Sequence, residues 1–149
     1  MKRQTLSATL ATIFCTAALL GFAPVLSAND HQGCTLRSVS GSYGYTVNGT
    51  RIGIGLASSV GVVNLGSDGT LTGSQTASFN GTILTETLTG TYEVGNDCRG
   101  SSVINVISSN PADNRTSTLV IGWDDDTDKF RFIFTGDGQI LTGDGQKMH

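Results

Sequence analysis

Glu86 is the carboxylate of this 149-residue chain best placed for chemistry in an enclosed space, with Gln75 as its neighbour. Asn80-Gly81 tolerates the positive φ angles of a two-residue hairpin turn. Counting outward from it sets Phe79 against Thr82, Ala77 against Leu84, and Gln75 against Glu86. Both polar residues then share a side with Leu84 and Leu88. An apolar wall disfavours a carboxylate's charge, which makes Glu86 a candidate acid, base or ligand anchor. The structural alternative is a satisfied pair near a barrel mouth, Gln75 donating to Glu86, with Arg99 or Asn105 able to neutralise the charge. Tyr92 falls on the same apolar face and joins Gln75 and Glu86 as an expected ligand-binding residue. No catalytic residue is assigned, and Glu86 is the choice if the protein is an enzyme.

Other chemistry is sparse. The two histidines are His31 and His149, near the ends, so no Ser-His-Asp set can be assembled. No H-E-x-x-H, Walker loop or dinucleotide fingerprint occurs. Asp124-Asp125-Asp126-Thr127-Asp128 has calcium-like spacing, yet lacks the glycine and distal glutamate of an EF-hand loop, and reads as a solvated hairpin tip. Thr-Gly-Asp-Gly-Gln at 135–139 and 142–146 occurs only twice, without a calcium-repeat period, and reads as turn chemistry. One metal idea is conditional. A mature chain starting at Asn29 would offer its amine, two amides and the His31 imidazole as a square-planar nitrogen set for Cu(II) or Ni(II). A different start abolishes it. No other metal and no cofactor is expected.

The ends of the chain speak to compartment. Met1-Lys2-Arg3, an apolar run to about Leu26 and the small residues Ser27 and Ala28 have the order of a cleaved signal peptide, 1–28, leaving a domain at 29–149. A retained anchor is the alternative, although Thr16, Gly21 and Pro24 interrupt the run and it is short for a bilayer span. Cys15 leaves with the leader. The remaining pair, Cys34 and Cys98, is most simply one disulfide in an oxidising compartment; a metal site or reactive thiol would lack C-x-x-C spacing and histidine partners. Export to the periplasm or the extracellular space follows. Loss of Lys2 and Arg3 leaves seven basic against twelve acidic residues, a balance of −5. With no basic cluster and no amphipathic surface helix, neither nucleic acid nor stable membrane insertion is expected.

The elements that must position these groups are strands. Twenty glycines, two prolines and recurrent Asp-Gly and Asn-Gly pairs, without a helical period, give an all-β chain. Turns at Asp68-Gly69, Asn80-Gly81, Asn96-Asp97 and Asp137-Gly138 bound strands near 39–47, 52–66, 70–79, 82–94, 98–108, 117–123, 129–135 and 139–143. A two-residue loop at Asp68-Gly69 would set Val62 against Gln75 and Val60 against Ala77. One face would then carry Ile52, Ile54, Leu56, Val60, Val62, Ala77, Phe79, Leu84, Leu88 and Tyr92. The other would carry Gly53, Gly55, Ser59 and the Thr/Ser positions. Phe130, Phe132 and Phe134 add an aromatic inner stripe. Such an antiparallel meander should close into a roughly eight-stranded barrel, which removes its edges. A β-sandwich is the alternative. An outer-membrane barrel would need a larger apolar band outside.

The run Val39-Ser40-Gly41-Ser42-Tyr43-Gly44-Tyr45, the turns at 68–69 and 80–81, Thr89-Gly90-Thr91-Tyr92-Glu93-Val94, Asp97-Cys98, Gly100, and Phe130 to Gly143 resemble a group of small exported bacterial β proteins of unknown function. The resemblance spans nearly the whole mature chain. It rests on turns and packing glycines, so it implies a fold and no catalytic residue. In architecture the chain is more remotely similar to the barrels of allene oxide cyclase and lipocalin-like proteins. Three functions stay open: a non-catalytic barrel holding a small apolar or amphipathic ligand, an isomerase or cyclase of the allene oxide cyclase kind, and a packed barrel with a structural or surface-interaction role.

Overall fold

The computed structural model describes residues 33–149. The leader, its cleavage site and His31 lie outside the described residues. Eight antiparallel strands follow one another round a closed barrel, each paired with its neighbours in sequence and β1 with β8. They are β1 (Gly41–Arg51), β2 (Gly55–Leu65), β3 (Thr70–Phe79), β4 (Thr82–Val94), β5 (Arg99–Ser108), β6 (Arg115–Trp123), β7 (Lys129–Phe134) and β8 (Gln139–Lys147). A single helical turn, α1 (Leu36–Val39), precedes β1, and a 3-10 turn at Pro111–Asp113 links β5 to β6. Among the described residues no helix is long and apolar enough to cross a membrane.

The β3–β4 register is the one that Asn80-Gly81 dictates. Both residues have positive φ, 49° and 93°, and Gln75 pairs with Glu86, Ala77 with Leu84, and Phe79 with Thr82. The β2–β3 register differs by one residue from the expectation. Gln75 faces Gly61, not Val62, and Ala77 faces Ser59, not Val60. The cause is the turn. Gly69 N–H donates to Gly66 C=O, Gly66 N–H donates to Thr70 C=O, and Gly69 sits at φ 85°. This is a three-residue loop with glycine in the left-handed position, one residue longer than a two-residue turn. Asp68 Oδ1 secures it by accepting from Thr70 N–H and Oγ1–H.

One extra residue inverts β2. Ala57, Ser59, Gly61, Val63 and Leu65 take the inner parity, whereas Leu56 and Val60 stand outside, 72% and 60% exposed. Ile52 and Ile54 are not strand residues at all. They belong to the Arg51–Gly55 turn, where Ile54 N–H donates to Arg51 C=O and Gly53 and Gly55 supply positive φ. The outer face therefore mixes threonine rows with exposed Ile83, Val103, Ile107, Val120, Ile133 and Ile140. It is more aliphatic than the threonine, serine and glycine face expected.

The core fills the barrel. Tyr43, Tyr45, Leu71, Leu84, Leu88, Trp123, Phe130 and Phe132 are buried together, as the alternation of β1, β3, β4, β6 and β7 requires. One end, the floor, is closed by α1. Val39 is fully buried, Tyr43 Oη donates to Val39 C=O and Thr127 C=O, and Tyr92 Oη donates to Gly66 C=O. Thr35 caps α1, its hydroxyl accepting from Ser38 N–H. A disulfide between Cys34 and Cys98 ties this segment to the β4–β5 turn. The acidic run 124–128 closes the β6–β7 hairpin at the same end, Asp124 Oδ1 accepting from Lys129 N–H. The opposite end, the mouth, carries the β1–β2, β3–β4, β5–β6 and β7–β8 connections.

Candidate functional site

Near the mouth the inner wall turns polar. Inward parity on β1, β3, β4 and β6 brings Tyr45, Gln75, Glu86 and Arg115 together, with Ser59 joining from the inverted β2. Arg115 donates Nη1–H to Glu86 Oε1 at 2.5 Å and Nη2–H to Oε2 at 3.0 Å, and also reaches Asp113 C=O. Gln75 Nε2–H donates to Glu86 Oε2. Gln75 Oε1 in turn accepts from Tyr45 Oη–H at 2.7 Å and Ser59 Oγ–H at 3.0 Å. Gly61 makes the junction possible. A methyl there would lie 2.9 Å from Tyr45 Oη and 2.4 Å from Ser74 C=O.

The Gln75–Glu86 contact thus exists, but its surroundings are not the apolar wall expected. Glu86, 3% exposed, faces a guanidinium that occupies both its oxygens. A buried carboxylate paired bidentately is a satisfied ion. The neutralising residue is Arg115, not Arg99 or Asn105. Arg99 lines the outer surface of the barrel beside Gly122, its strand partner, and Asn105 accepts from Thr116 on the outside. Burial first, then the Glu86 charge, raises the Tyr45 phenol above its ordinary value, so it remains a donor.

Tyr92 does not join this cluster. It lies at the floor with its hydroxyl bonded to Gly66 C=O and its ring 6.3 Å from that of Trp123. Between the two ends runs a cavity of about 60 Å³. Its wall includes Val63, Leu71, Leu88, Ile104, Phe132 and Phe134, and Gln75, Arg115, Ser117 and Trp123 add polar edges. Ser117 Oγ and Trp123 Nε1 are buried without a hydrogen-bond partner. Such orphans are uncommon in folded proteins and ask for an occupant. Ser117, Trp123 and Arg115 all follow from the inward parity of β6, which the sequence pattern begins two residues late.

At the mouth itself, Arg51 and Arg115 stand over one ring, their Cζ atoms 5.0 and 5.3 Å from the Phe79 centroid. Burial, then the like charge of Arg115, lowers the Arg51 pKa. Among the described residues no group of three or more His, Cys, Asp or Glu is arranged to hold a metal ion. Comparison with protein-family models, curated proteins and solved structures gave no match.

Proposed function

We propose that this chain is an exported, disulfide-clamped barrel that holds one small, mainly apolar molecule in its interior and performs no chemistry on it. The observation that carries this reading is two unpartnered buried groups on the cavity wall, Ser117 Oγ and, six residues further along β6, Trp123 Nε1. An indole N–H only donates, so the occupant needs an acceptor there, and a hydroxyl serves either role. Apart from Gln75 and Arg115 toward the mouth, the rest of the wall is aliphatic and aromatic, which favours an apolar body. The size restricts the choice. About 60 Å³ matches two water molecules or a short ketone or alcohol fragment, and a larger guest requires the rings of Phe132 and Phe134 to swing aside.

A cyclase of the allene oxide cyclase kind would need a carboxyl free to exchange protons, whereas both Glu86 oxygens are engaged. Export is supported by the disulfide and by the signal-peptide pattern at 1–28. The balance of −5 in the mature chain argues for neither nucleic acid nor an anionic membrane as partner.

Trp123 is the single tryptophan of the chain, so its emission reports the cavity directly. Titration with butanone or butanol should give a saturable change in that emission, and narrowing the cavity with Leu88→Phe should abolish it. Native mass spectra of the purified protein should show an added small mass. A linear, unsaturable response together with a bare mass overturns the proposal.

A further inference from the structure

Arg51 ends β1 with inward parity at the mouth, and its guanidinium has work left undone. Nη1 is buried and has no hydrogen-bond partner. The neighbouring acids are engaged elsewhere. Glu86 holds Arg115 and Gln75, and Asp113 Oδ2 accepts from Asn110 Nδ2–H. The fork of Arg115 is likewise spent, on Glu86 and on Asp113 C=O. Arg51 therefore stacks on Phe79 with Nη1 unmatched, beside a like charge, and partly removed from water. Desolvating a cation in this way is costly unless something pairs with it.

We propose that the mouth is a binding site for a small monocarboxylate, held by the Arg51 fork over the Phe79 ring. A planar guanidinium matches two coplanar oxygens bidentately, which a lysine in the same place would not. Phosphate offers similar geometry, but the charges decide against it. Arg51, Arg115, Glu86 and Asp113 cancel, so one added negative charge is tolerated better than two. The Phe79 ring beneath the fork holds the guanidinium by its face, so the bound acid points its short apolar body away from the arginine. This site is independent of the interior cavity, whose lining does not include Arg51.

The test follows the Arg51 Nε–Hε resonance of the intact protein, assigned by its loss in Arg51→Gln, while sodium acetate replaces sodium chloride at constant ionic strength. Acetate should shift it saturably and raise the melting temperature, and phosphate should do so less. Arg51→Gln should weaken acetate binding about tenfold or more, and Arg51→Lys should recover only part of it. Equal responses to acetate and chloride in the wild type overturn the proposal, even if the variants fail to fold. An undiminished acetate response in Arg51→Gln, or phosphate binding tighter than acetate, overturns it as well. None of these readings depends on whether butanone enters the interior.

Discussion

Arg115 reaches over β5 to grip Glu86, 29 residues away in sequence, through both terminal nitrogens. The Pro111–Asp113 turn sets this up. Asn110 caps it by accepting from Ala112 N–H, and the chain then re-enters the sheet at Arg115 with its side chain inward. Asp113 C=O steadies the guanidinium from outside the pair. Ser59, Tyr45 and Gln75 extend the network across the barrel.

Removing one member of such a pair leaves an uncompensated buried charge. Arg115→Met should cost about 3–5 kcal/mol. The double variant Glu86→Leu/Arg115→Met removes both charges and should regain most of that loss, or exceed the wild type by about 1–4 kcal/mol. Urea denaturation of the single and double variants measures both. A single variant as stable as the wild type would show the pair to be solvated.

Much of the barrel is legible in the sequence because turn residues fix register. Asn80-Gly81 needs two positive φ angles and no third residue, so counting outward from it pairs β3 with β4 throughout. Asp68-Gly69 carries the same kind of dipeptide but uses only its glycine at positive φ, and Ser67 joins the loop. The composition of the two turns does not distinguish these cases. Nor does the pattern of β2, where Leu56, Val60 and Val62 look as apolar as Ala57, Val63 and Leu65. The Gln75–Glu86 contact survives this slip because it depends on the other turn. Arg115 is invisible for a different reason: it lies beyond a proline turn, where no alternation has yet begun.

The corrected register makes a sharp prediction within one strand. Val60→Thr, on the outside, should leave stability within about 0.5 kcal/mol. Val63→Thr, isosteric but 6% exposed and facing the cavity wall, buries a hydroxyl and should cost about 1–3 kcal/mol. Thermal melts of the two variants side by side decide the matter. A reversed order would restore the two-residue loop at 68–69.

The Cys34–Cys98 disulfide closes a loop of 64 residues and holds α1 over the floor. Cys34→Ser/Cys98→Ser should lose about 4 kcal/mol by the chain-entropy relation for a loop of this length. The loss should be local before it is global. Amide exchange at Val39 and Tyr43 should quicken most on reduction, while the β3–β4 amides around Gln75 and Glu86 lose no more protection than the fall in global stability requires. Uniform acceleration across the barrel would contradict a clamp confined to the floor.

All three tyrosines of the chain are inside the barrel. Burial, followed by the Asp128 charge, pushes the Tyr43 phenol up to about 12, and burial, followed by Asp68, does the same to Tyr92. Tyr45 is raised as well. The unfolded chain releases these protons near the ordinary value of about 10, whereas the folded one keeps them. Between those values the folded state binds more protons, so its stability must fall as pH rises. For Tyr43 and Tyr92 the stabilising contribution is complete below about pH 10 and spent above about 12. Alkaline unfolding should therefore have its midpoint in this window, with tyrosinate absorbance and loss of near-ultraviolet dichroism rising in one step. Tyr92→Phe removes one of the raised phenols together with its bond to Gly66 C=O. It should lower stability at neutral pH and make the alkaline fall shallower. Three tyrosines ionising near pH 10 in a folded barrel would contradict their burial.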